Sequence, residues 1–527
     1  MIRQLQYTKI CGTVPRPVYL ALLLLLLTAA VGLQGTGAGW AKGTQDLIAE
    51  QAALQDVTLS EQESAVLRRA LPIVARRYLR ELDPNPLLQE TMQGLKEYDA
   101  ALAAATEKAA EANPAKNGAK NGSNGGPESG GAKDAPAAGP HGKFRRVALA
   151  LNKGLNTLDA HSAYLDPDTY GELKIRISGK FAGLGLEVTL DDGLVKVIAP
   201  IDDTPAQRAG IQSGDRISHV DGMPIKGMTL REAVSRMRGL VGTTIRLTML
   251  RPEVTDPFEV IIVRDIIRVP AVRHRAEADY GYIRISAFSQ QTEPSLLDAL
   301  AKIDESLGQQ SLGLVIDLRN NPGGLLRQAI RVSDVFLDAG TIVSVRGRMD
   351  EDNALFEAHD GGQASGKTIV VLVNEGTASA AEIVAGALKE NNRAIIVGNR
   401  SFGKGSVQTI FTMGESGALR LTTALYYTPS GRTIQAWGIL PDLLIERDRQ
   451  EAGRREEELQ GALSRGAGAP AVDGPRAAIT GERCNALLAK PMDDQDLACA
   501  VALLRAGSLD RLIHLANSLA NGGAATR

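Results

Sequence analysis

The chain has 527 residues, too many for one hydrophobic core, and its length alone suggests roughly three domains. A composition of 44% hydrophobic and 23% charged residues is that of a globular protein. The net charge of -2 supplies no global field for nucleic acid, which argues against a DNA-binding role.

Arg3, Lys9 and Arg16 precede a 16-residue, mostly apolar run from Val18 to Leu33, and small residues around Gly39 and Ala41 supply an A-x-A-like cleavage site. Residues 1–41 therefore read as a secretory signal. The run is short for a membrane span, and an uncleaved anchor that associates the protein with a membrane is the alternative. On either reading the remainder is exported.

Residues 42–177 read as a helical N-terminal region. Leu59, Val66, Leu67, Ala70, Val74 and Leu82 fall mostly at helical spacing, and a second helical stretch runs from Phe144 to Leu158. Between them, 112–142 is rich in Ala, Gly, Asn, Lys and Pro, contains "AKNGAKNG", and is expected to be a disordered insertion.

From Phe181 the pattern changes to short strands. "FAGLGLEVTL", "GLVKVIAP", "GDRISHVDGMPI" and "TTIRLTML" are separated by turn signals and describe a small β-rich domain. Its clear helix is "TLREAVSRM", with Thr229 and Glu232 in a capping-box pattern and Leu230, Ala233, Val234 and Met237 on one face. After Ala271 strand and helix alternate: "YGYIRISAF" with "SLLDALAKIDESL", "LGLVIDL" with "LLRQAIRVSDVFL", "TIVVLVN" with "AAEIVAGALKE". That alternation predicts an α/β layer structure. The strand "ALRLTTALYY" follows, and residues 451–527 read as a charged, Gly/Ala-rich linker ending in a helical tail from about Asp493.

Cysteine usage suits an exported protein. With Cys11 in the leader, Cys484 and Cys499 remain, and they form either one disulfide or two unrelated buried thiols. No CxxC pair or HExxH stretch is present, and no metal or cofactor is expected.

The chemistry-bearing stretch is "TIVVLVNEGTASAAEIVAGALKE". A hydrophobic strand runs into Gly376, Thr377, Ala378 and Ser379, and a helix starts at once, so Ser379 sits at a strand-to-helix turn. The Ala380 N–H is then an orphan helix donor suited to one half of an oxyanion hole. A helix cap is the plainer role for Ser379. No histidine is near it in sequence. In "RSFGKGSVQ", however, Lys404 lies between Gly403 and Gly405 after the strand "RAIIVG", which is expected to return beside the first. A lysine kept neutral by burial can take the serine proton. The loop in "VIDLRNNPGG" offers Gly323 and Gly324 as the second half of the oxyanion hole.

Together these stretches resemble the carboxyl-terminal processing peptidases, or tail-specific proteases, a serine peptidase family with a Ser–Lys dyad. "LDAHSAYLDPDTY", "DLRNNPGG", "NEGTASAAEI", "SFGKGSVQ" and "YYTPSGRTIQAWGILPD" are similar, in order, to the family's motifs and cover about Leu158 to Asp442. The resemblance implies an α/β (α+β) multidomain protein with a protease core on a mixed sheet at 271–450 and an inserted PDZ domain at 178–270, flanked by the helical N- and C-terminal segments. It implies Ser379 as nucleophile, Lys404 as base, Gln408 as the residue that orients the lysine, and oxyanion donors at Ala380 and the Gly323/Gly324 loop. Ala381 departs from the family, many members having a second serine there. The "GLGL" stretch, Gly183, Leu184, Gly185 and Leu186, becomes the loop that binds a terminal carboxylate. A Ser-His-Asp triad using His161 is disfavoured, because no G-x-S-x-G elbow surrounds Ser379 and the family makes His161 structural.

The function expected on this basis is that of an endopeptidase of the bacterial periplasm or cell envelope. Its partners would be protein or peptide substrates with free C-termini, with an adaptor or a second copy of the chain as further candidates. The alternative is a catalytically silent relative that binds tails or apolar ligands.

Overall fold

The computed structural model describes residues 39–111, 144–252, 254–308, 311–364, 366–446, 454–464 and 474–522. The apolar leader run and the expected insertion at 112–142 lie outside them.

The N-terminal helices are Gly39–Leu54, Glu61–Arg77, Pro84–Glu111 and Arg145–Leu155. Ser60 and Glu63 cap the second reciprocally, satisfying N–H groups that a helix start leaves without partners. Val66, Leu67, Leu88, Met92 and Leu151 pack together and continue onto Leu419 and Leu421 of the strand Ala418–Tyr427, so the helices are built onto the body of the protein.

The β-rich domain is a six-stranded antiparallel sheet in the order Leu186–Asp191, Leu194–Pro200, Arg216–Val220, Thr244–Leu250 and Phe258–Val263, with Met223–Pro224 paired to the third. Its helix Leu230–Met237 carries the capping box between Thr229 and Glu232. The strands leading in and out, Lys180–Gly183 and Asp265–Arg268, pair antiparallel with each other, which closes the domain at its neck.

Beyond the neck lies a seven-stranded sheet in the order Val272–Ala276, Gly281–Ile285, Gly313–Asp317, Thr368–Val373, Ile395–Gly398, Leu443–Glu446 and Ala477–Thr480, parallel except for its first strand. Both faces are covered, and the strand sequences show why. In Thr368–Val373, Ile369, Val371 and Val373 enter one core while Val370 and Leu372 enter the other, as a continuous apolar run must when buried on both sides. Helices Thr292–Leu307, Leu326–Phe336 and Ala380–Glu390 fill the first face. The second is covered by Gln495–Ala506, so residues expected to form a linker and tail supply both a layer and the last strand of the core sheet. Cys484 and Cys499 are bridged there and join Gly481–Asn485 to Gln495–Ala506. A further sheet runs Ala163–Leu165, Ala418–Tyr427, Thr341–Gly347 and Ala354–Glu357, with Ser406–Thr412 also paired to Ala418–Tyr427.

Candidate active site

Three neighbouring parallel strands, Gly313–Asp317, Thr368–Val373 and Ile395–Gly398, all release their chains at the same edge of the sheet. The loops 318–325, 374–379 and 399–405 therefore meet at the carboxyl ends of the strands, where crevices form in α/β folds. Side-chain and backbone bonds sew them together. Asn320 and Asn374 exchange two hydrogen bonds, of 2.8 and 2.9 Å, the Ala378 N–H donates to the Asn321 carbonyl at 2.9 Å, and the Phe402 N–H donates to the Thr377 carbonyl at 3.0 Å.

Ser379 is the residue immediately before the helix Ala380–Glu390, with φ at 57°. A non-glycine residue held there stores on the order of 1–3 kcal/mol, so the turn persists only because its surroundings dictate it. The helix that follows is buried from Ala380 through Leu388, which its sequence, apolar on every side except Glu382, requires. Ser379 itself is half-buried.

The exception in that helix organises the site. Glu382 is fully buried, and four donors converge on its carboxylate: the Ser401 hydroxyl at 2.5 Å and Gly403 N–H at 2.7 Å on Oε1, and the N–H groups of Ser379 at 2.7 Å and Lys404 at 2.9 Å on Oε2. Burial, only partly offset by the four donors, leaves its pKa raised to about 7. The Ser401 hydroxyl already accepts the Ile439 N–H, so its own proton is free to go to Glu382, and all four groups act as donors to the carboxylate.

Lys404 follows on the third loop and is half-buried. Among the described residues its Nζ has no hydrogen bond or ion pair. Burial, with Arg420 adding to it, lowers its pKa to about 8 against the opposing carboxylates of Glu456, Asp159 and Glu382. The flanking glycines let the backbone approach residues 435–438 closely. A methyl group at Gly405 would lie 2.4 Å from the Gln435 nitrogen, and one at Gly403 would lie 3.1 Å from the Gly438 nitrogen. The buried Tyr426 hydroxyl donates to the Lys404 carbonyl and lies near the Ser379 side chain, so it borders both loops.

Gln408 lies on the strand Ser406–Thr412, and its amide donates to Ser406 Oγ at 2.8 Å and Thr422 Oγ1 at 3.4 Å. Thr422 Oγ1 in turn donates to Asp159 at 3.0 Å. The glycine loop presses on the nucleophile: a methyl group at Gly323 would come within 2.8 Å of the Ser379 Cβ and 2.9 Å of the Ala380 nitrogen. The Gly323 N–H is occupied by Asn321 Oδ1 at 2.8 Å, whereas those of Gly324 and Ala380 have no partner among the described residues. Gly324 is also exposed. Of the expected oxyanion donors, Ala380 and Gly324 are thus the two left available. His161 Nε2 bonds both carboxylate oxygens of Glu456, at 2.9 and 2.8 Å.

In the β-rich domain the strand Leu186–Asp191 is an edge, paired on one side only among the described residues. The Leu184 and Gly185 carbonyls are bound from behind by the N–H groups of Ala206 and Ile201, at 2.9 and 2.8 Å, while their own N–H groups have no partner among the described residues. Leu186, Val188, Leu230 and Val234 are partly buried apolar residues of the same domain. Sequence reasoning passed over Glu382, which resembles any helix-start glutamate, and Tyr426, which resembles any strand aromatic.

Residues 279–445 match Peptidase family S41, and residues 196–251 match the PDZ domain. A carboxy-terminal-processing protease of Bartonella bacilliformis is 47% identical over 367 residues, spanning 68% of this chain and 82% of that protein. A carboxyl-terminal-processing protease of Synechocystis sp. is 36% identical over 305 residues, 56% of this chain and 70% of the relative. The solved structure of a photosystem II D1 C-terminal processing protease covers 74% of this chain and 94% of its own at 26% identity and a TM-score of 0.40.

Proposed function

Since the chain belongs to the carboxy-terminal-processing proteases of peptidase family S41, serine-type peptidases with a PDZ domain, we propose that Ser379 is its nucleophile and Lys404 its general base. The observation that carries this reading is the pairing of a strained, half-buried serine with a half-buried lysine whose amine has no partner among the described residues, on loops that share the Glu382 carboxylate.

Neutral Lys404 takes the Ser379 proton as Oγ attacks the peptide carbonyl. The Ser379 hydroxyl bonds the lysine amine when substrate is bound, a tightening common to catalytic contacts. The Ala380 and Gly324 N–H groups hold the oxyanion. Lys404 then gives the proton to the leaving amine, and the cycle repeats with water to release the acyl group. Gln408, bonded to Ser406 just beyond the lysine, braces the strand that carries the base.

The PDZ domain captures the substrate's C-terminus. The edge Leu186–Asp191 accepts an extended peptide as an added strand, and the Leu184 and Gly185 N–H groups, without a partner among the described residues, meet its carboxylate. The apolar residues Leu186, Val188, Leu230 and Val234 favour an apolar last residue. We further propose that the enzyme is exported to the periplasm or cell envelope. The leader pattern in 1–41 and the Cys484–Cys499 bridge both support an oxidising compartment. N-terminal sequencing of the mature protein from a cell-envelope fraction tests the export step.

The test of the function compares one peptide ending in a free apolar residue with its C-terminal amide, with products identified by mass spectrometry. Cleavage of both is expected, with kcat/KM for the amide lower by about ten- to a hundredfold for the loss of a charge-assisted hydrogen bond. Equal rates would remove tail capture, and intact peptides in both arms would contradict the endopeptidase.

A further inference from the structure

Residues 454–464 lie downstream of the 279–445 match to the peptidase family, and in sequence they read as part of a charged linker. In the fold most of them stay exposed, but two turn inward. Glu456, the first of three consecutive glutamates, is fully buried where its neighbours Glu457 and Glu458 face water, and Leu463 is nearly so.

The contacts of this segment converge on the lysine loop from both ends. On the upstream side the Glu456 N–H donates to the Phe402 carbonyl at 3.1 Å, two residues before Lys404. On the downstream side the Gly405 N–H donates to Gln435 Oε1 at 3.0 Å. The Nε2 of that same glutamine donates to Glu456 Oε1 at 2.9 Å and to the Leu463 carbonyl at 3.3 Å. The Glu456 carboxylate is fixed in turn by His161 Nε2, at 2.8 and 2.9 Å, and His161 is held through its backbone N–H by Asp159. A buried carboxylate with these partners cannot be removed without leaving several polar groups unsatisfied.

We propose that 454–464 is a strap that positions the general base, with Glu456 as a positioning residue acting on Lys404 through Phe402, Gln435 and Gly405. This rests on the reading of Lys404 as the base. It also assigns a task to His161, the histidine of the "LDAHSAYLDPDTY" stretch, which anchors the strap. The charged groups facing the Lys404 amine are Arg420 from the strand Ala418–Tyr427, Asp159 from the turn before Ala163–Leu165, Glu382 from the nucleophile helix and Glu456 from the strap. Glu456 favours the ammonium form, so its removal also makes the lysine easier to deprotonate.

The experiment measures kcat, KM, pH–rate profile and melting temperature for the full mature chain carrying Glu456→Ala, Glu456→Gln or Lys404→Ala, on one peptide with a free apolar C-terminus. Glu456→Ala is expected to lower kcat per folded molecule by about ten- to a hundredfold, the scale for a misplaced catalytic group, with KM within about twofold. Glu456→Gln, which keeps the shape and loses the charge, is expected to lower kcat less and to move the midpoint of the basic limb to lower pH. It decides the matter if the alanine variant does not fold. A kcat per folded molecule and a pH midpoint both equal to wild type in the glutamine variant, whatever its melting temperature, would overturn the strap while an inactive Lys404→Ala left the dyad standing. An active Lys404→Ala would take down both.

Discussion

Ser379 and Lys404 hang on one oxygen atom: their backbone N–H groups donate to Glu382 Oε2 at 2.7 and 2.9 Å. Residues 25 apart in sequence are thereby held at the same point in space by a single buried carboxylate. Glu382→Gln replaces one acceptor oxygen with an NH₂ that faces existing donors. The expected result is a fall in kcat of about a hundredfold or more and a loss of about 1–3 kcal/mol of stability from unsatisfied buried groups. Steady-state kinetics and thermal melts on the variant check both.

The pH profile follows from the lysine. Its pKa is lowered to about 8 by burial, and only the deprotonated amine can act as base. Activity should therefore rise with pH, by about tenfold per unit below the midpoint, and level off above about pH 8. A limb near about pH 6.5 that disappears in His161→Ala would point to a histidine base instead.

Gly323 has φ at 94° and lies against the nucleophile, so Gly323→Ala forces a Cβ to within 2.8 Å of the Ser379 Cβ and the Ala378 carbonyl oxygen. Something must move, and the atoms nearest are those that set the attack geometry. Activity is expected to fall by about a hundredfold while the fold survives, as read by circular dichroism and kcat/KM.

Much of the core was legible because its signals are local. The apolar strand Thr368–Val373, the small-residue turn at Gly376 to Ala378 and the helix from Ala380 are adjacent in the chain, so the place of Ser379 follows from pattern alone. The Thr229–Glu232 capping box is equally local. Glu382, Tyr426 and Glu456 work through partners many residues away, and nothing in their own neighbourhoods predicts those partners. A faint signal does exist for Glu382, the lone charge in "ASAAEIVAGAL", where a helix apolar all round must bury it. The strand Ala477–Thr480 is only four residues long, too short for alternation to register. The helix Pro84–Glu111 escaped although Leu87, Leu88, Met92 and Leu95 mark its buried face.

The Cys484–Cys499 bridge closes a separation of 15 residues on the sheet face opposite the nucleophile helix. Loop-closure entropy gives roughly 3 kcal/mol for a loop of about that size. The paired Cys484→Ser and Cys499→Ser variant should melt at lower temperature, by several degrees, with kcat little changed well below the transition. A melting curve that reduction does not shift would contradict the bridge's contribution.

The most direct test of the dyad is kcat/KM for Ser379→Ala, Lys404→Ala and the double variant on a single peptide substrate, with folding verified for each. Nucleophile and base that act as a unit predict that each single variant falls by about 10³-fold or more and that the double variant is scarcely worse than either. Wild-type turnover by a correctly folded Ser379→Ala or Lys404→Ala protein would contradict the account.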